Sequence, residues 1–264
     1  MKKPIKIVIA GLIFGISGLQ ATEPASAGND ASLMKLIQFA MQERYLIQRA
    51  TKDYIYAGNN IGTTRAQNDM ADALKKFDTK LKVLDSSIND PKIKNLLLFI
   101  QSIREDIADT IKEPYSLDNA REVIDLAEAI SEGEHSIASK LIKKHKGEHP
   151  ISKGQRYLVM QVAKYYIAYT SGIKDKNTVK AMNSAVDRLG KLIDEMKKNQ
   201  KNTPKMNQIV AKIDKDWKIV RKFYLDIEEG DLPFIVYDTT AKMDKKFYQY
   251  FQEYFKSKKS NRAK

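Results

Sequence analysis

Cysteine is absent from this 264-residue chain, tryptophan occurs once and histidine three times. Without thiols there is no disulfide framework, no thiolate metal site and no residue to carry a lipoprotein's lipid. The few histidines stand in no nucleophile–base–acid constellation, so the chain reads as non-enzymatic and without a cofactor. Glycine and proline are scarce, at 12 and 7 residues, and no run of alternating apolar and polar residues suggests a sheet. Beyond residue 19, no apolar stretch is long enough for the roughly 20 residues of a membrane-spanning helix.

The first 27 residues have a different character. Lys2 and Lys3 precede an apolar run from Ile7 to Leu19, followed by Ala25-Ser26-Ala27 with small residues at both recognition positions of a cleavage site. This pattern reads as a secretory signal over residues 1–27, to be left out of fold reasoning, with a retained anchor as the alternative. The expected location is the periplasm. Removing the leader takes away three lysines and one glutamate, lowering the net charge from +13 to about +11. The excess lysines are spread over every polar helix face and a basic tail at 259–264, which argues against a nucleic-acid partner.

Helix punctuation covers the remainder. Asp90-Pro91 and Thr203-Pro204 each set a capping side chain before a proline at the first helical position. Ser116 and Asp231 are further caps, and Gly58, Gly147 and Gly172 sit where helices should stop. Between these marks apolar residues recur at spacings of three and four, as in Ala73, Leu74, Phe77, Leu81 and Leu84. Helices are expected at 32–58, 63–88, 91–112, 116–145, 151–171, 175–198, 204–226 and 231–257. A shift of 112 residues superimposes Arg44-Tyr45-Leu46 on Arg156-Tyr157-Leu158, Lys52 on Lys164, Tyr54-Ile55 on Tyr166-Ile167, and Ala73 on Ala185. One inserted residue later, Pro91 falls on Pro204 and Asp125 on Asp238. The expected fold is therefore all-α: two tandem four-helix, up-down-up-down bundles related by an internal repeat, over 28–148 and 149–258.

From Tyr157 to Tyr169 only Gln161 and Lys164 are strongly polar. A helix apolar nearly all round must be buried on more than one side. The first copy in the same chain is the expected partner, with a homodimer second.

The corresponding stretch of the first copy, Ala40 to Lys52, resembles the first-helix motif of the N-terminal domain of type IV pili methyl-accepting chemotaxis transducers, shared with nitrate/nitrite sensor kinases. Agreement falls at Ala40, Arg44, Leu46, Gln48, Arg49 and Lys52, and in the second copy at Gln155, Arg156, Leu158, Ala163 and Lys164. The resemblance implies a periplasmic four-helix sensor domain in which one arginine from each of two first helices grips a small anion. Carried over, those arginines are Arg44 and Arg156, with Arg49, Gln48 and Gln155 as neighbours. The second motif arginine is Gln161 in copy two, and the family's glycine is Met41 and Lys153. The family's downstream signalling modules are absent, so a membrane-bound receptor or envelope partner is implied.

Two guanidiniums facing each other with no carboxylate would repel, and a shared oxyanion would relieve this through forked hydrogen bonds. The alternative is local satisfaction: Asp53 lies four residues after Arg49, and Arg44 or Arg156 could meet acids of another helix. His145 and His149, near Glu148, have metal-ligand spacing, but Gly147 and Pro150 interrupt the helix there and no metal site is expected. Tyr248, Tyr250, Phe251, Tyr254 and Phe255 suit core packing or a partner-docking surface, and Trp217 suits the core.

Overall fold

A computed structural model describes residues 25–145, 156–227 and 232–262, with side chains over 32–145, 156–227 and 232–257. Residues 1–24 of the expected leader, Gly147, His149, Gln155 and Asp231 lie outside these residues. Among the described residues the fold is all-α, with no strand: α1 (Ala25–Gly58), α2 (Thr63–Ser87), α3 (Pro91–Thr110), α4 (Leu117–Lys144), α5 (Arg156–Thr170), α6 (Lys176–Lys198), α7 (Pro204–Leu225) and α8 (Pro233–Arg262). None of these helices is long and apolar enough to cross a membrane.

The helix ends follow from local chemistry. Asp90 accepts hydrogen bonds from the backbone N–H groups of Lys92 and Ile93, with Pro91 opening α3. Ser116, Asp175 and Thr203 cap α4, α6 and α7 in the same way, each accepting from an N–H three residues on. Each cap satisfies donors that a helix start otherwise leaves without partners. Gly172, at φ 111°, takes the chain out of α5 through backbone that side chains disfavour. Two boundaries differ from expectation by five residues or more: α1 begins at Ala25 rather than 32, and α8 runs to Arg262 rather than 257.

Packing divides the helices into two quartets. In the first, α1 packs on α2 and α4, and α3 on α4 and α2; in the second, α5 packs on α6 and α8, and α7 on both of those. The quartets join where α1 packs along α5. The two helices run in the same direction. The start of α5 meets the middle of α1, where Arg44 stacks on Tyr157 and Arg156 on Tyr45. Their ends meet at Tyr115, whose hydroxyl accepts from Asn59 after α1 at 2.8 Å and lies beside Ser171 after α5.

This seam accounts for the apolar sequence of α5. Every residue from Leu158 to Tyr169 is buried, because α1, α6 and α8 cover the helix from three directions. The core runs through the seam without interruption, with Ile47, Ile55 and Tyr56 of α1 and Val162, Tyr166 and Ile167 of α5 among its members. Tyr56 and Tyr237, from different quartets, bring their rings to 4.5 Å. Trp217, Tyr250, Phe251 and Tyr254 are buried, while Tyr248 remains 44% exposed.

Gly58 marks the tightest approach at this end. A Cβ there would lie 2.1 Å from Cδ2 of the Tyr115 ring, a distance that forces the ring or the helix end to move. Gly58→Ala is expected to cost about 1–3 kcal/mol of stability, as other overpacking changes do. Urea unfolding measures it, and an unchanged midpoint would contradict the packing described.

Candidate functional site

The seam places charged groups in apolar surroundings, and most of them come from α1, α4 and α5. At its centre is Lys164. Its side chain is fully buried, and its ammonium donates to Glu128 of α4, across the boundary between the quartets. Gln48 of α1 donates to the same carboxylate at 3.0 Å, and Gln161 of α5 at 3.3 Å. Burial opposes the charge on Glu128, but Lys164 and the two amides outweigh it, holding the carboxyl down at about 2. For Lys164 burial wins, and its pKa moves below the ordinary lysine value despite Glu128. One carboxylate therefore ties three helices together.

Residues related by the 112-residue shift meet across the seam in reciprocal fashion. The Arg44 guanidinium lies 4.1 Å from the Tyr157 ring centre, and that of Arg156 lies 4.2 Å from the Tyr45 ring. Such cation–ring contacts contribute on the order of 0.5–2 kcal/mol each, depending on desolvation. Behind each arginine stands the last helix of one quartet. Arg44 Nε donates to Ser131 of α4 at 3.3 Å. Arg156 donates through Nε to Asp244 Oδ1 at 2.7 Å and through a terminal nitrogen to Oδ2 at 2.6 Å and to the Tyr45 hydroxyl at 2.9 Å. Burial acts against the Arg156 charge, and Asp244 more than offsets it, moving the guanidinium's pKa up.

This geometry corrects the expectation that Arg44 and Arg156 face each other without a carboxylate and share one ion. The fork of Arg156 is filled by Asp244, the geometry in which arginine and a carboxylate bind most strongly. Arg44 has no ion pair among the described residues. Arg49, a further expected neighbour of the anion, is held by three acids: Asp69 at 2.8 Å, Asp72 at 3.4 Å and Asp53 at 3.8 Å. Gln48 is buried and spends its amide N–H on Glu128. The structure thus brings Arg44, Arg156, Gln48 and Arg49 to one seam but distributes them among separate partners. Gln155 lies outside the described residues, as does His149, whereas His145 closes α4.

Arg44 opens instead onto a groove of about 380 Å³ between α1 and α4 of one quartet and α5 and α6 of the other. Arg188 and Lys180 of α6 line it together with Gln161, Ser131, Ser184 and the carboxylates Glu128 and Glu132. Arg188 is steered into place by Gln161 Oε1, to which it donates at 2.8 Å, and by the Tyr157 hydroxyl at 3.3 Å. Because Glu128 is already matched by Lys164, the groove carries an excess of positive charge. Sequence reasoning named Arg44 and missed Arg188, Lys180, Glu128 and Asp244. Lys164 was the available signal, since a lone ammonium in a helix buried all round requires a counter-ion from another element.

No family model, curated protein or solved structure matches the chain.

Glu128→Gln leaves the Lys164 ammonium buried without its counter-ion and is expected to cost about 3–5 kcal/mol at neutral pH. A Glu128→Gln, Lys164→Met double variant should recover most of that loss. The folded pKa of Glu128 lies below its unfolded value. Its contribution is therefore full above the ordinary glutamate range and is lost as pH falls toward about 2. Chemical denaturation from pH 6 down to pH 2.5 should show this acid loss in the native chain and a shallower one in Glu128→Gln; equal slopes would contradict the assignment.

Proposed function

We propose that this chain is an exported, non-enzymatic binding protein of sensor type, which takes a small oxyanion at the seam between its two quartets and passes its state to a membrane or envelope partner. The single observation that carries the ligand reading is Arg44. Its guanidinium has no acid within ion-pairing distance among the described residues, and it borders a groove with two further cations, Arg188 and Lys180. An anion there would complete the arrangement that Asp244 completes for Arg156. The proposed site is accordingly Arg44 with Arg188 and Lys180, rather than a symmetric pair of Arg44 and Arg156. The reading also includes descent of the two quartets from one repeated unit. The shared internal packing of the quartets and the reciprocal contacts of Arg44 with Tyr157 and Arg156 with Tyr45 support it. Export rests on the leader-like first 27 residues.

A second reading is a structural or interaction module of the envelope, linked to pili or chemotaxis, that holds no small ligand. Two observations favour it. The Arg156 half of the seam is satisfied by the protein's own carboxylate, and the outer helix α3 presents Leu98 and Phe99 at 60% and 51% exposure. A homodimer is one arrangement that would use such a face.

A thermal-shift series with millimolar nitrate, nitrite, sulfate and phosphate separates the two. Ligand at 100 times its Kd stabilises the folded state by about 2.7 kcal/mol, a rise of several degrees for a chain of this size. Arg44→Ala and Arg188→Ala should abolish the rise. Arg156→Ala should lower the starting midpoint, because it strands Asp244, while keeping the rise. No response to any anion would leave the interaction reading standing.

A further inference from the structure

Glu43 on α1 and Glu134 on α4 are both completely buried, at 0% exposure. Neither is used by the anion site. They occupy the core register of their helices: Ala40, Glu43, Ile47 and Ala50 on α1, and Ile130, Glu134, Ile137 and Leu141 on α4. Among the described residues, none of their four carboxyl oxygens receives a hydrogen bond from a neighbouring donor. The two groups interact chiefly with each other. A proton held on one of them is what allows one carboxyl to donate to the other.

The surrounding charges do not neutralise the pair. From α2, Lys80 favours the ionised form of Glu43 and Asp78 opposes it. Asp78 is itself gripped through both oxygens by Arg104 of α3. From α1, Arg44 favours ionisation of Glu134. His135, next along α4, is exposed, and α5 contributes the neutral Tyr157 ring stacked on Arg44. Burial is the largest influence on both carboxyls, and it raises both pKa values well above the ordinary glutamate range. The fold itself does not call for such a pair. In the second quartet the position matching Glu134 is Phe247, buried in the core, and Gln155 stands at the sequence position matching Glu43.

We propose that Glu43 and Glu134 form a proton-operated latch between α1 and α4, closed while the pair holds a proton and loosened when that proton is lost to solvent. Loss of the proton leaves two negative charges in a dry contact between packed helices, where like charges cannot both persist without movement or added water. Arg44 is the neighbour best placed to respond. It follows Glu43 in the chain, it acts electrostatically on Glu134, and its present contacts with Tyr157 and Ser131 reach across and beside the seam. Ionisation of the pair therefore draws on the group that joins α1 to α5, and the loosening spreads from the first quartet into the seam. Anion binding is not required for this device.

The sign follows from linkage. Above the ordinary glutamate range the unfolded chain has released both protons while the folded chain retains at least one, so stability falls as pH rises until the folded pair ionises. For one retained proton, the thermal midpoint of the native chain should drop by about 3 °C per pH unit from pH 5.5 upward. Glu134→Gln and Glu43→Gln, measured separately, should each remove most of that slope and raise the midpoint at pH 8.5 above that of the native chain. Carbon-13 NMR titration of the two carboxyl carbons in the unaltered protein supplies a readout that does not depend on the variants. At least one of the pair's two steps should lie above the ordinary range. Amide exchange, corrected for its intrinsic pH dependence, should quicken in α1, α4 and the start of α5 once that step is passed, and should not do so in Glu134→Gln. Ordinary titration of both carboxyls, a native slope equal to that of Glu134→Gln, or unchanged exchange at the start of α5 would each overturn the latch.

Discussion

A buried ammonium and the carboxylate that reaches it from another helix are what the arrangement depends on. Lys164 cannot stay charged inside a helix covered on three sides unless a counter-ion enters with it, and Glu128 is supplied by α4 of the other quartet. The pair therefore specifies which face of α5 meets which side of the first quartet. Apolar packing along α1 and α5 contributes most of the attraction but is tolerant of small rotations. An ion pair buried with two amides is not, because a shift of an ångström leaves a charge without its partner. Gln48 and Gln161 extend the same constraint to α1 and α5.

Around this anchor the seam is reciprocal in shape and unequal in charge. The two arginine–tyrosine stacks mirror each other, whereas the residues behind them do not. Under the sequence shift of the repeat, Asp244 matches Ser131, Ala241 matches Glu128, and Tyr165 matches Asp53. Each exchange alters where a counter-ion comes from. Lys164 draws on Glu128 of the other quartet, whereas its counterpart Lys52 pairs with its neighbour Asp53 at 2.6 Å and faces the Tyr237 ring at 4.4 Å. Likewise Arg156 owns an acid, and Arg44 has none within ion-pairing distance among the described residues. The difference turns one side of the seam into a closed structural contact and the other into an open, positively charged groove.

Much of the helical architecture was legible before any coordinates. The capping roles of Asp90, Ser116 and Thr203 are local, since each needs only a short polar side chain and the N–H groups two or three residues onward. The burial of α5 was legible too, because a run with two strongly polar residues in thirteen has no solvent face to offer. The site was read less well. Arg44 and Arg156 were singled out as equivalents, but their difference lies in residues almost ninety positions away, Ser131 and Asp244, which the motif does not include. Glu43 and Glu134 were not singled out although both interrupt an apolar stripe at core spacing. A glutamate in such a stripe is usually taken for a solvated edge, and two of them become informative only when shown to face each other.

Composition and spacing by themselves determined a cysteine-free chain of capped, amphipathic helices with one helix obliged to find cover on every side, because caps, periodicity and polarity act over a few residues. Which acid each buried cation receives was decided only in three dimensions. Lys164, Arg156 and Glu43 meet partners drawn from helices distant in the chain, and the free energy of a buried charge is set by whatever lies within a few ångströms of it, not by its neighbours in sequence.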